Sequence, residues 1–320
     1  MDQAQLTRAL SERTFLTYGG PETYLLFLQR FPLREFSSFE VVDDAAAWER
    51  MERELLAPIA DAAAARGLGL LADSFVWRAS GDYVRRLGAG AVADVNARAV
   101  RRSRGFLERW RASSDAARAT PVLLSGDLGP RGDGYAVSGP VTVDAAYEYH
   151  APQVEALARA GVDLLVPLTM TGLNETLGIL RAAARAGLPA LVSPTIEPDG
   201  TLPDGTPLGT YITAVDHATS GAPVGFMVNC AHTTHLAPTL TAAAAAGAPW
   251  LSRFRGLRAN ASAKTHVELD NSTELDRGDP AALARGLAEL RRAHGFTVVG
   301  GCCGTDAEHL RLIAEALDPR

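Results

Sequence analysis

The stretch FTVVGGCCGTDAEHL, Phe296–Leu310, joins a short β-branched run, a glycine pair, two adjacent cysteines and the start of a helical pattern. A brief apolar run bounded by glycine reads as a strand buried on both faces, and the periodic segment behind it as the helix that covers it. The same unit recurs upstream. Strand candidates are TFLTY (Thr14–Tyr18), LGLLADS (Leu68–Ser74), PVLLSG (Pro121–Gly126), DLLVPLT (Asp163–Thr169), ALVSPT (Ala190–Thr195), GFMVNC (Gly225–Cys230) and GLRANA (Gly256–Ala261), with TVVGG (Thr297–Gly301) as the last of eight. Between them lie amphipathic stretches such as WERMERELLAPIADAAAARG, YEYHAPQVEALARAG, LNETLGILRAAARAG and PAALARGLAELRRAHG, several closing on a glycine where a helix tends to stop. Strands alternating with helices imply a parallel sheet covered on its faces, and eight such units imply a closed (β/α)8 TIM barrel forming a single α/β domain over residues 1–320. An open doubly wound sheet is the competing architecture. Against it, the first strand is followed by YGGPET and not by a Gly-x-Gly-x-x-Gly phosphate turn.

Composition supports one large core: the 320 residues are 47% hydrophobic. The net charge is −6 with both signs interspersed, so no basic stripe exists to displace counterions from a nucleic acid. The N-terminal MDQAQLTRALSERTF lacks the apolar centre of a secretory signal, and no run approaches the roughly 20 apolar residues of a membrane span. A cytoplasmic protein without nucleic-acid or membrane partners is expected. The small-residue stretch LAPTLTAAAAAGAPW fits a packed helix.

Three cysteines in a chain of this size argue for reduced thiols over a disulfide framework. A bond between neighbours Cys302 and Cys303 would be strained. Two inert buried thiols are the plainer reading. The barrel weighs against it, because chemistry in this architecture sits on loops at the C-terminal ends of the strands. Cys230 ends the sixth strand candidate, Cys302 and Cys303 follow the eighth, and closure brings both rims to one mouth. Three converging thiolates form a soft tripod suited to Zn²⁺ with a fourth position open. A thiol entering that position would lose its proton and, held beside a sulfonium or ammonium methyl donor, would displace the methyl group in line.

The motifs VNC (Val228–Cys230) and GGCCGT (Gly300–Thr305), preceded in order by YGGPET, ADSFVWRAS, SGDLGPRGDGY, AGVDLLVPLTM and DGTPL, resemble the zinc-dependent homocysteine S-methyltransferase family. That family includes S-methylmethionine- and betaine-dependent enzymes and the homocysteine domain of cobalamin-dependent methionine synthase. The resemblance covers most of the chain and implies a (β/α)8 barrel, zinc held by Cys230, Cys302 and Cys303, a small thiol acceptor, a small methyl donor and a role in methionine biosynthesis. With no room for folate or cobalamin modules, the donor is expected to be S-methylmethionine, S-adenosylmethionine or a betaine-like compound entering the same mouth. Two departures stand out. Where the family starts its barrel with Asp-Gly-Gly this chain has Tyr18-Gly19-Gly20, and where the family ends the fourth strand with Glu-Thr it has Leu168-Thr169. The lost carboxylates are the family's grip on the homocysteine amino group, and an ammonium buried without them would cost several kcal/mol.

Other residues at the mouth are candidates to replace those contacts. Asp73 lies at the end of the second strand and Asp127 and Glu197 follow the third and fifth, where each would pair with an amine, or serve as a loop cap or salt-bridge partner. Arg78 and Arg131 would fork onto a substrate carboxylate or phosphate, or pair with Asp82 and Asp133. Tyr18 would line the pocket, offer its phenol oxygen, or simply pack. Asn229 and Asn260 sit where amides orient ligands or substrate, with turn formation the competing role for Asn260. Trp77 and Phe75 would form an aromatic wall for a cationic donor or pack on the rim. His232 and His235 flank Cys230, but a Cys-x-His-x-x-His site would leave the other two cysteines unexplained, so both are read as lying outside the ligand set. His150 and His266 carry no interpretable spacing.

Three functions remain in view: a zinc-dependent methyltransferase acting on homocysteine or another small thiol or selenol; a zinc enzyme performing carbon–sulfur cleavage, demethylation or hydrolysis; and a non-catalytic zinc-binding or redox-sensing barrel. The tripod makes a direct prediction. Cys303→Ser removes a soft ligand and releases zinc while leaving the apolar core intact, to be read as loss of stoichiometric metal by elemental analysis with unchanged circular dichroism; full zinc retention overturns the assignment.

Overall fold

The computed structural model describes residues 3–136, 139–270 and 272–317. Its strands are β1 (Phe15–Thr17), β2 (Gly69–Ala72), β3 (Val122–Leu128), β4 (Leu164–Met170), β5 (Leu191–Pro194), β6 (Gly225–Ala231), β7 (Phe254–Ala259) and β8 (Val298–Gly301), arranged in sequence order as a closed barrel. Every neighbouring pair is parallel, and the ring closes where Phe15 and Leu16 pair with Val298 and Val299. The apolar runs produce this arrangement because successive strand residues face opposite ways. Leu71, Leu123, Val166 and Val298 belong to one buried cluster, while their neighbours Leu70, Leu124, Leu165 and Val299 pack with the surrounding helices in another.

Helices Val92–Ala112, Val143–Ala160, Leu173–Ala186, Leu208–Thr219, Thr233–Ala245, Pro280–His294 and Ala307–Ala316 follow the strands from β2 to β8. Ahead of β1, helix Gln3–Glu12 buries Leu6 and Leu10 completely in the same cluster as Phe15, Leu71 and Val298. That helix stops the N-terminal end of the barrel. The connection after β1 is the least regular, with short helical turns and left-handed Glu35 and Phe36 ahead of helices Ala45–Met51 and Ala57–Ala65. Among the described residues no helix is long and apolar enough to cross a membrane.

The strand boundaries differ from the sequence reading in ways that matter for the mouth. β3 continues to Leu128, so Asp127 belongs to a strand and not to the loop after it. β7 starts at Phe254 and ends at Ala259, leaving Asn260 just beyond it, with its N–H still donating to Ala231 O at 3.1 Å. Two strands also slip in register at their C-terminal ends, β4 between Leu168 and Met170 and β6 between Asn229 and Ala231. The intervening residues Thr169 and Cys230 take left-handed φ values of 61° and 54°.

Gly256 on β7 has φ +155°, and a Cβ there would meet Val298 O at 1.6 Å. Backbone cannot yield as a side-chain tip can. Gly256→Ala is therefore expected to force β7 from β8 and to cost about 3 kcal/mol, at the upper end of ordinary point-mutant effects. Urea unfolding checks this as a lowered midpoint; an unchanged midpoint would mean that the barrel tolerates a wider β7–β8 spacing.

Candidate metal centre and its cavity

The two register slips shape the site. In a regular strand Asn229 and Cys230 would face opposite sides, but the left-handed residue at the end of β6 brings both to the mouth, as it does Leu168 and Thr169 on β4. Cys302 and Cys303 arrive from the turn after β8, which is tied down by Cys302 N–H to Ala259 O at 2.7 Å and by Ala261 N–H to Cys303 O at 3.0 Å. The Sγ atoms of Cys230, Cys302 and Cys303 all lie within 4.8 Å of one another, with Cys230 and Cys303 at 3.4 Å. Three sulfur donors gathered from two strands, with a cavity beside them, fit a tetrahedral thiophilic ion such as Zn²⁺ that keeps one position for a ligand.

Hydrogen bonds from Cys302 and Cys303, and then from the Tyr135 hydroxyl, hold the Cys230 thiol well below its usual range despite burial. The counterpart is an upward push on the other two, led by the interaction with Cys230, which takes Cys302 to about 12. Crowding of the three sulfurs thus makes each further ionisation harder, a cost that a bound cation would lift. Asn229 fixes the geometry around it. Its Oδ1 accepts from Thr169 N–H and Ser193 Oγ, both at 2.7 Å, while its Nδ2 donates to Thr169 Oγ1 at 3.1 Å and faces Cys302 Sγ at 3.8 Å. Tyr135 closes over the other side, its hydroxyl 3.4 Å from Cys230 Sγ and 3.5 Å from Cys303 Sγ. The Tyr135 ring stacks on the His266 imidazole at 4.2 Å, and His266 bridges Glu197 through Nδ1 and the Cys230 carbonyl through Nε2, each at 2.9 Å.

The cavity next to the sulfurs has a volume of about 480 Å³, within the range of small-molecule sites. Gly19, Gly20, Asp73, Trp77, Arg78 and Asp127 border it, as do Leu168, Thr169, Asn229 and Asn260. Three expectations from the sequence are corrected. Tyr18 does not border the cavity: it is 1% exposed, and its ring stacks on Phe75 within the core. Glu197 is drawn away to His266, and Arg131 turns to Glu175, which accepts its backbone N–H at 2.7 Å. Arg78 is anchored on Glu35 O and lies 4.8 Å over the Trp77 ring, so one face of that indole is already covered. Phe75 does border the cavity. His232 caps its own helix and His235 bonds Ala263 O, so neither enters the sulfur cluster, and His150 is buried against Glu175.

The structure also supplies residues that sequence reasoning missed. Arg258 reaches from β7 across the barrel to Asp73, with its two terminal nitrogens 3.0 and 2.7 Å from the two carboxylate oxygens, and its Nε donates to Gly301 O. Burial works against this guanidinium, but the Asp73 charge and hydrogen bonds overcome it and hold its pKa above the ordinary value. Glu22, in the turn after β1, borders the same cavity and accepts from Ser38 Oγ at 2.6 Å. A carboxylate after a Gly-Gly turn was the available signal for Glu22. For Tyr135 and Arg258 no local pattern marks the role, because their partners lie on distant strands.

A model of the homocysteine S-methyltransferase family matches residues 72–317. The S-methylmethionine–homocysteine S-methyltransferase BHMT2 of Mus musculus is 26% identical over 247 residues, covering 66% of this chain and 61% of that protein. Homocysteine S-methyltransferase of Escherichia coli is 30% identical over 203 residues, covering 58% and 60%. The chain thus spans less than two thirds of the length of these relatives. The metallated crystal structure of the homocysteine methyltransferase MmuM from Escherichia coli superposes with a TM-score of 0.71 at 20% identity, over 97% of this chain and 99% of that one, and shares its fold. With the family match running from the end of β2 through the paired cysteines, this chain belongs to the homocysteine S-methyltransferase family.

Proposed function

We propose that the protein is a zinc-dependent S-methyltransferase that moves a methyl group from a small donor to homocysteine or a thiol of its size. The observation that carries this reading is the meeting of three Sγ atoms within 4.8 Å, beside a cavity of about 480 Å³ at the C-terminal mouth of the barrel. Zinc held by three thiolates would supply a Lewis-acidic position at which an entering thiol gives up its proton near neutral pH.

The chain's own residues supply the rest. Cys230, Cys302 and Cys303 would hold the ion, and Asn229 links Cys302 to Thr169 at the end of β4. Phe75, Trp77 and Leu168 give the cavity an apolar wall that excludes water from the reacting atoms. Trp77, on the cavity wall, offers a cationic donor a ring quadrupole. Displacement requires donor carbon and acceptor sulfur at about 3–3.5 Å and in line, which a cavity holding both small molecules enforces. The methyl carbon forms its new bond to the acceptor sulfur as its bond to the donor breaks, and the electron pair of that bond leaves with the donor. The relative named for S-methylmethionine favours a sulfonium donor.

Methionine formation from homocysteine and S-methylmethionine by the zinc-loaded protein tests the reading directly. Chelation is expected to abolish the reaction and stoichiometric zinc to restore it; absence of methylation with sulfonium, S-adenosylmethionine and betaine donors alike would overturn it. Asn229→Ala is expected to lower zinc affinity by roughly 10–100-fold, the usual cost of losing a residue that orients a metal ligand, measured by competition with a chromophoric chelator.

A further inference from the structure

The cavity wall carries more carboxyl groups than cations. Glu22, Asp73 and Asp127 border it on the side of β1, β2 and β3, and Arg258 is the guanidinium buried among them. Arg258 is already committed to both oxygens of Asp73. Asp127 and Glu22 are left without a cation. Asp127 is 2% exposed; its Oδ2 accepts from Ser74 N–H at 3.1 Å and its Oδ1 from Ser125 Oγ at 2.7 Å, hydrogen bonds that favour an anion but do not neutralise one. Glu22 has the Ser38 hydroxyl.

A separate feature on the opposite wall points to a polar ligand. Asn260 is 2% exposed and borders the cavity; its Oδ1 accepts from Ser262 N–H, yet its Nδ2 has no partner. A buried amide N–H left unsatisfied costs about 1–3 kcal/mol, a cost removed when a ligand oxygen arrives. Donor on one wall and uncompensated carboxyls on the other describe a receptacle for a small zwitterion.

We infer that Asp127, assisted by Glu22, binds the ammonium group of the acceptor, replacing the carboxylates absent at Tyr18 and Leu168 and setting the specificity for an amino-acid thiol. The inference rests on the thiol-methyltransferase reading of the same cavity. Electrostatics supports it. Burial first, and then the neighbouring Asp73 charge, raises the Asp127 carboxyl well above its usual range against the opposing pull of Arg258. Burial likewise pushes Glu22 up to about 7, with the Ser38 bond opposing and the Cys302 and Asp73 charges adding slightly. Both shifts are the cost of a buried carboxylate with no cation beside it, and an arriving ammonium pulls both groups back down, so that binding releases protons to solvent.

The test is calorimetric titration of the zinc-loaded protein with L-homocysteine and with its des-amino counterpart 4-mercaptobutyrate, in two buffers of different ionisation enthalpy. The wild type is expected to bind homocysteine at least tenfold tighter and to release additional protons with it. Asp127→Asn is expected to lose at least tenfold in homocysteine affinity and the additional protons while holding 4-mercaptobutyrate unchanged. Glu22→Gln, which removes the charge while keeping an oxygen to accept from Ser38 Oγ and so guards against a folding defect in the first variant, moves the same way by a smaller factor. Equal affinity of the wild type for the two thiols, or an affinity ratio untouched in both variants, overturns the inference alone. Failure of both thiols to bind the wild type overturns the methyltransferase reading and this inference with it.

Discussion

Closure of the sheet is the constraint on which the rest depends. Cys230 lies on β6 and Cys302 just after β8, strands held side by side through β7, and the pairing of β1 with β8 completes the ring that fixes their ends at one mouth. The slips at the ends of β4 and β6 then refine the rim, each placing a non-glycine residue in the left-handed region and turning two consecutive side chains toward the mouth. Such residues cost about 1–3 kcal/mol and persist where the surroundings over-determine them. Here the surroundings are the Asn229 side chain, bonded to Thr169 through backbone and hydroxyl, and His266, bonded to the Cys230 carbonyl. Strain at the sulfur is thus held by a polar frame that reaches β4 and the segment after β7.

A second frame crosses the barrel at charge level. The Arg258–Asp73 pair is 4% and 5% exposed at its side chains, in an environment where removing either partner would leave a buried unpaired charge. Both ends contact elements of the site: Gly301 O accepts from Arg258 just before the paired cysteines, and Asp73 lies beside Ser74, whose N–H bonds Asp127. The cysteine cluster and the acidic wall therefore share one set of supports.

How much was legible in the sequence follows from the range of each interaction. Strand and helix patterns are local, so the eight repeated units and the glycine stops at helices such as Val143–Ala160 could be read directly, and the barrel followed from their number. The cysteine cluster was legible one step later, because a barrel fixes where strand ends go. Side-chain partners across the mouth were not. Arg258 and Asp73 are 185 positions apart, Tyr135 and Cys303 168, and nothing near either residue announces the other. Tyr18 sits at the right strand end but turns into the core against Phe75, and Glu197 is captured by His266. Position at a rim gives candidates; which way a side chain turns is decided by neighbours from other strands.

The helix that stops the N-terminal end has a kinetic meaning. With Leu6 and Leu10 fully buried against the strand interiors, nothing passes through the barrel, and the C-terminal mouth serves for both entry and exit. Two ligands sharing a blind cavity cannot exchange independently: the one that lies deeper must arrive first and depart last. For a reaction of two ligands in this cavity, the closed floor would in this way impose an order of addition and release, far from any reacting atom.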